Sequence, residues 1–422
     1  MKMKKYKLDE IAIVEISGVD KKTKDNEIPV RLCNFTDVYH NWAITKEMTD
    51  SFLKASANQK EINTLSLKKG QVAFTKDSET RDDIGIPTYI ADDFENVVLG
   101  YHTALITPDK SKLSGKYLNA FMNTRYIQKY FENNASGSGQ RYTLSTETLN
   151  AIPVIAPDLQ TQEKIGDVFS NIDKKIALNR HMNAKLEQMA KRLYDHWFVQ
   201  FDFPNEDGKP YKASGGKMEY NEVLKREIPA GWEVKNVCTI ANILPGGTPS
   251  KANCDFWNGE LPFFGPTDYE GNVFQLHTAE KITALGLSKC ASLLFEENTI
   301  IITARGSVGK LIIVGTPMAM NQSCYALRAK DITTYEYLYF LTIQLIESLK
   351  VKSTGSVFKS IITSDIENSM LVIPPMELIK KYCGKVSSLF SSIKLNTQET
   401  QKLTALRDRL LPLLMNGQVE VD

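Results

Sequence analysis

Residues 158–198 read DLQTQEKIGDVFSNIDKKIALNRHMNAKLEQMAKRLYDHWF, and residues 376–417 read MELIKKYCGKVSSLFSSIKLNTQETQKLTALRDRLLPLLMNG. The two stretches align without a gap. Ile165, Ile172, Asn179, Leu186 and Leu193 recur at every seventh position, and Tyr382, Leu389, Asn396, Leu403 and Leu410 do the same, a constant 217 positions later. Both series are apolar except for one asparagine at the same middle step. A companion series, Phe169 and Ile176, matches Val386 and Ile393, then turns polar at Asn183 and Thr400. Apolar residues at alternating spacings of three and four predict a coiled-coil seam. About 38 residues is far longer than an ordinary globular helix. A lone polar residue in such a seam fixes register at some cost in stability.

Outward from the helices, each is preceded by a strand that ends in proline, Ile152-Pro153-Val154-Ile155-Ala156-Pro157 and Met370-Leu371-Val372-Ile373-Pro374-Pro375. Further upstream the repeat loosens. Leu8, Ile11 and Val14 correspond to Val234, Val237 and Ile240. Ile28-Pro29-Val30 with Thr36-Asp37 resembles Leu261-Pro262-Phe263 with Thr267-Asp268, and VAFT at 72–75 resembles IIIT at 300–303. Ala135-Ser136-Gly137-Ser138 resembles Ser353-Thr354-Gly355-Ser356, each followed by a basic residue, Arg141 or Lys359. Strand-like runs alternate with short helical ones, at 117–131 and 335–349, so each half is an α+β globular unit followed by one long helix. Residues 199–231 are rich in Gly, Pro and Lys without periodicity and read as a linker.

The chain has 422 residues, 42% of them hydrophobic, with 51 Lys and Arg against 50 Asp and Glu. That composition supports folded cores and excludes a protein that holds nucleic acid by bulk charge, though not one with local basic patches. The six cysteines show no C-x-x-C spacing, the five histidines no H-x-x-x-H, and no apolar run approaches a membrane span. A reducing, cytoplasmic setting follows. Ala304-Arg305-Gly306-Ser307-Val308-Gly309-Lys310-Leu311 approaches a Walker A loop, but its first glycine is misplaced and Leu311 has no hydroxyl for magnesium, so it reads as a turn between strands. Asp207-Gly208-Lys209 is a poor nuclease signature in a polar linker, and Ile373-Pro374-Pro375-Met376 lacks the polar residue of an amino-methyltransferase loop. No catalytic core is visible.

This organisation resembles the specificity (S) subunit of type I restriction–modification systems over nearly the whole chain. The most specific stretch is the linker, Trp197-Phe198-Val199 running into FDFPNEDGKPYKASGGKMEYNEVLKREIPAGWEV at 201–234. The strand–proline–helix junctions and the closing Leu406-Arg407-Asp408-Arg409-Leu410-Leu411-Pro412 also resemble this family. The resemblance implies two globular target recognition domains in a pseudo-twofold repeat, at 1–156 and 231–375. They would be separated by two long antiparallel coiled-coil helices at 157–198 and 376–417, with the linker at 199–230. It implies a non-catalytic chain that binds no cofactor and no membrane and reads a split, asymmetric site on double-stranded DNA. The implied partners are two adenine-methyltransferase (M) subunits, which use S-adenosylmethionine, and two restriction (R) subunits, which use ATP and magnesium. The rival readings are a free-standing enzyme and a coiled-coil scaffold with two protein-binding domains.

Base edges are read by Arg or Lys at guanine and by Asn or Gln at adenine, while phosphate contacts only position a reader. In the first half the candidates are the loop Ser138, Gln140, Arg141 and Tyr142, and Lys76 and Arg81 after the VAFT strand. In the second they are Ser356 and Lys359, and Arg305 and Lys310 after the IIIT strand. Each set reads equally as a turn or as solvated charge. Asn321-Gln322 reads either as a base-reading pair or as the cap of a strand turn, and Tyr142 either as a stacking face or as a packing ring.

Overall fold

A computed structural model describes residues 3–139, 141–352 and 360–421. The chain divides into two compact units, Met1–Ala177 with Lys402–Asp422, and Leu178–Gln401.

The apolar alternation of the first unit closes a five-stranded sheet. Its order is Ala12–Ile16, Thr103–Pro108, Val72–Thr75, Pro87–Ile90, Ala43–Ile44, antiparallel except for the last pair. Ile28–Cys33 lies between Leu53–Ala57, antiparallel, and Val97–Leu99, parallel. Lys4–Lys7 pairs with Pro153–Ala156, the strand that leads into the first long helix.

The second unit repeats this plan strand for strand. Its sheet runs Ala241–Pro245, Cys324–Ala329, Ile300–Thr303, Leu311–Val314, Phe274–Gln275, again with only the last pair parallel. Trp257–Phe264 has one antiparallel and one parallel neighbour, Glu280–Ile282 and Ala319–Met320. Glu233–Asn236 pairs with Met370–Ile373, the strand before the second long helix. The fold is therefore α+β, written twice.

The register refines two of the sequence correspondences. Lys4 faces Ala156 and Glu233 faces Ile373. Leu8 therefore matches Val237 and Ile11 matches Ile240, three residues beyond the alignment read from the sequence. That stretch is a single strand and a short turn, too short for spacing alone to fix its phase. The Thr-Asp pairs do coincide. Asp37 accepts the backbone N–H of Asn34 at 2.8 Å, and Asp268 that of Gly265 at 2.8 Å, so both are local turn caps.

The long helices span Leu159–Tyr194, 36 residues, and Met376–Met415, 40 residues. In the first unit the start of the first helix is pinned by Gln162. Its amide donates to the carbonyls of Lys112 and Pro157, and its oxygen accepts from Ser114 N–H. In the second unit the helices run antiparallel. Asn183 donates to Thr397 (3.2 Å) and accepts from Asn396 (2.9 Å), whereas about two turns further along the first helix the carbonyl of Ala190 accepts from Tyr382 (3.0 Å), which lies earlier in the second. Asn179 donates to Glu399 at 2.8 Å.

Ile165, Ile172 and Asn179 are buried, with Phe169 and Ile176 between them, while Leu186 and Leu193 are half-buried beside the fully buried Ala190 and Tyr194. On the second helix the buried stripe is Ile379, Tyr382, Cys383, Val386, Phe390, Ile393 and Thr397, which includes Tyr382, Val386 and Ile393 of the predicted seam. Leu389, Asn396, Leu403 and Leu410 are half-buried. At Phe390 and Thr397 the buried face lies one residue, about 100°, round from the predicted Leu389 and Asn396, because the surface packed against the helix there is met by Phe390 and not by Leu389.

The linker is folded. Met218–Asn221 and Arg226–Pro229 form a hairpin, and Phe203 stacks on Trp232 and Tyr211 at 5.0 and 4.5 Å. Tyr194, Trp197 and Phe198, which close the first helix, are buried against Tyr337, Tyr382 and Trp232 of the same unit. Their rings are thus spent on the chain's own core.

Candidate nucleic-acid interface

Strand register gathers described sequence candidates, Lys76 and Arg141 in one unit and Arg305 in the other, at one end of each five-stranded sheet. In the first unit, strand Val72–Thr75 runs out at Lys76, whose N–H donates to the carbonyl of His102 at 2.9 Å. The next residues, Asp77 and Ser78, pair with Thr143 and Tyr142 of the loop hairpin Ser136–Ser138 and Arg141–Thr143. Gly137 is required there. Its φ is +142°, and a Cβ would lie 2.1 Å from the carbonyl oxygen of Arg141.

This pairing gathers a polar hub around Asp77, whose side chain is 10% exposed. Lys76 Nζ donates to Asp77 Oδ1 at 2.9 Å and to Thr143 Oγ1 at 2.8 Å. His102 Nδ1 lies 2.6 Å from Asp77 Oδ2, and Arg141 Nη2 donates to the same oxygen at 3.0 Å. Arg141 Nη2 also contacts both ring nitrogens of His102, with 2.8 Å to Nε2. With Nδ1–H donating to Asp77, Nε2 accepts from Arg141, and the contact of Arg141 Nη2 with Nδ1 is then not a hydrogen bond. Burial disfavours the Asp77 anion, but hydrogen bonds from Thr143, Lys76 and His102 outweigh it and hold the carboxyl well below the usual range. His102 occupies the left-handed region at φ +69°, a conformation that a non-glycine residue adopts at a cost.

The hub borders an open cleft of about 590 Å³. Its other wall is the short helix Phe35–His40, where the Phe35 and Tyr39 rings stack at 5.8 Å and Tyr39 donates to Asp83 at 2.9 Å. Arg81, exposed, lies over the Tyr142 ring with its guanidinium 5.1 Å from the centroid. Tyr142 is half-buried against the core.

Lys76 is thus tied into the hub, its side chain 16% exposed. Arg141, Tyr142 and Arg81 sit together on the surface. Ser138 lies on the hairpin strand, and Gln140 falls outside the described residues. Asp77 and His102 carried no sequence signal as readers. An isolated acid is not sought in a DNA site, and the two lie 25 residues apart, with Arg141 64 residues beyond Asp77.

In the second unit, strand Ile300–Thr303 runs out at Ala304, and the N–H groups of Ala304 and Arg305 both donate to the carbonyl of Ser323, at 2.7 and 3.2 Å. Arg305 bridges to Ser360, and Ile361 N–H reaches the carbonyl of Ala304 at 2.9 Å. In the first unit Leu144 N–H reaches the carbonyl of Lys76 at 3.1 Å. Arg305 therefore occupies the position of Asp77, one residue on from the match with Lys76 read in the sequence. Thr303 N–H and the carbonyl of Lys310 close the Walker-like segment as a hairpin turn at 2.9 Å, and Lys310 sits 5.3 Å over the Tyr269 ring. Asn321 caps its own turn, its Oδ1 accepting from Ser323 N–H at 3.0 Å, while the exposed Gln322 accepts from Thr248. Ser356 and Lys359 lie outside the described residues.

Two copies of one α+β plan, each bringing cations, amides and aromatic rings to one sheet end, define a duplicated recognition protein. The family model for the type I restriction modification DNA specificity domain matches residues 2–188 and 229–405. The type I restriction enzyme HindI specificity subunit of Haemophilus influenzae is 25% identical over 405 residues, covering 84% of this chain and 87% of its own length. The MjaIX specificity subunit of Methanocaldococcus jannaschii is 27% identical over 330 residues, covering 74% of this chain and 71% of its own. The crystal structure of a type I restriction–modification S subunit from M. genitalium shares the fold, with a TM-score of 0.55 at 15% identity, over 98% of this chain and 96% of that one. The chain belongs to the family of type I restriction–modification specificity subunits, which recognise DNA sequence, and carries the family's domain twice.

Proposed function

We propose that the chain recognises a bipartite, asymmetric target on double-stranded DNA and directs adenine methylation or restriction carried out by partner subunits. The observation that carries the reading is the repeated sheet end with unlike side chains, Asp77 with His102 and Arg141 in one copy and Arg305 with Lys310 in the other. Equal scaffolds with unequal chemistry read unequal half-sites. Arg81, Arg141 and Tyr142, with Ser138 and Gln140, contact one half-site. Arg305 and Lys310, with Asn321, Gln322, Ser356 and Lys359, contact the other. The chain is itself non-catalytic and works in the cytoplasm. It assembles with two methyltransferase subunits, which bind S-adenosylmethionine, and with two restriction subunits, which use ATP and magnesium. A near-zero net charge suits a subunit whose partners help to grip the duplex. Helices of 36 and 40 residues are about 54–60 Å long at about 1.5 Å per residue, and their length sets the unspecified spacer.

The test is co-expression with a cognate adenine methyltransferase subunit and sequencing for methylated adenine. A split, asymmetric motif is expected, and exchange of residues 1–156 for another system's domain should alter one half only. A continuous motif, or an exchange that alters both halves, overturns the reading.

A further inference from the structure

We propose that Asp77 is the positioning residue of the base-reading site in the first unit, and that the half-site read there contains a guanine contacted by Arg141. The inference rests on the reading above, that this sheet end faces DNA. A carboxylate this buried is costly unless it is paired, and Asp77 is paired by groups from three separate segments, Lys76, His102 and the loop bearing Thr143 and Arg141. The fold does not require that arrangement, because the same register position in the second unit holds Arg305. The hub therefore serves what it presents.

What it presents is Arg141. All its hydrogen bonds to Asp77 and His102 use Nη2, and its side chain remains 55% exposed. A planar guanidinium held from one side by a fixed carboxylate is a preorganised fork, and the remaining N–H groups match the O6 and N7 acceptors of guanine. A phosphate is the rival ligand for any arginine. Here Asp77 is already paired with Lys76 and Arg141, and Glu79 and Asp83 of the same cleft offset the remaining cationic charge, so a phosphate meets no net positive pocket, whereas the fork's donors still match a base edge.

The test uses the full chain co-expressed with a cognate adenine methyltransferase subunit, with methylation scored at every site carrying one mismatch. The half-site of the first unit is identified by exchange of residues 1–156. Arg141→Ala should relax discrimination at one guanine of that half-site by roughly 5- to 150-fold, the value of one bidentate pair, and leave the other half unchanged. Asp77→Asn should relax the same position. The double variant should match Arg141→Ala alone, since Asp77 acts through Arg141. If Asp77→Asn does not accumulate as folded protein, Arg141→Gln, an exposed change that removes both the cation and the fork, should still relax that guanine. A first-unit half-site without guanine, an unchanged motif in Arg141→Gln, or Asp77→Asn losses spread evenly over both half-sites or additive with Arg141→Ala would each overturn the proposal. No sequence-specific methylation by the wild-type chain would overturn the functional reading itself, and this inference with it.

Discussion

Phe390 and Leu389 are adjacent on the second long helix, and truncating each to alanine tells which one faces the core. Phe390 is fully buried. Its ring meets Phe274, Tyr335, Tyr339 and Phe340 edge-on at 6.4, 5.9, 6.0 and 5.9 Å. A buried Phe→Ala change costs about 3–5 kcal/mol, and edge-to-face pairs add about 0.5–1.5 kcal/mol each beyond area burial. Four such pairs put Phe390→Ala at the upper end, about 5 kcal/mol. Leu389 is half-buried, so its truncation should cost about 1–2 kcal/mol, well below the range for a fully buried leucine. At about 2–4 °C per kcal/mol for a unit of this size, the two variants should melt about 6–16 °C apart. Urea and thermal unfolding of the full chain, followed by tryptophan fluorescence, is the assay. Trp197, Trp232 and Trp257 all belong to the second unit and Trp42 to the first. A Leu389→Ala loss equal to or larger than that of Phe390→Ala would refute the rotated stripe and restore the seam read from the sequence.

Glu336 is 3% exposed, and burial pushes its carboxyl up to about 7 from the ordinary 4.5, so the folded state holds the proton more tightly than the unfolded one. Its contribution to stability is full below about pH 4.5 and falls as pH rises towards 7, by about 2–3 kcal/mol. Glu336→Gln should remove that slope, and identical pH–stability curves for the two proteins would contradict it. Two helical glycines should respond to alanine with opposite signs in denaturation experiments. At Gly384 nothing lies within 4 Å of a new Cβ, so alanine should stabilise by about 0.5–1 kcal/mol. At Gly166 the Cβ would lie 2.6 Å from Lys116 Cβ, so alanine should destabilise despite the same propensity gain. Four residues inserted near Asn179 or Asn396 lengthen a helix by about 6 Å, so the spacer of the methylated motif should grow by about 2 base pairs. An unchanged spacer would remove the helices from that role.

The duplication was legible because it is a matter of local period. Asn179 and Asn396, Ile165 and Tyr382, and the strands that end in proline repeat at one offset wherever the elements are long. Legibility faded where elements are short. Leu8 was matched to Val234, whereas strand pairing joins it to Val237. It failed for the linker, whose Phe201, Phe203 and Trp232 have no period yet pack together. Of the candidate site, the cationic loop was visible as Arg141 and Tyr142, but the carboxylate that holds it was not.

The sequence by itself determined the repeat, the two long helices, the α+β class and the family, because helix period, strand alternation and proline punctuation are properties of neighbouring residues. Only the tertiary structure decided that Phe390 rather than Leu389 enters the core, since both are apolar and about 100° apart on a helix, and the partner surface alone distinguishes them. Only it decided that Asp77, His102 and Arg141 form one group. Their contact comes from strand pairing across 25 and 64 residues of chain, and no local pattern records a distance closed by the sheet.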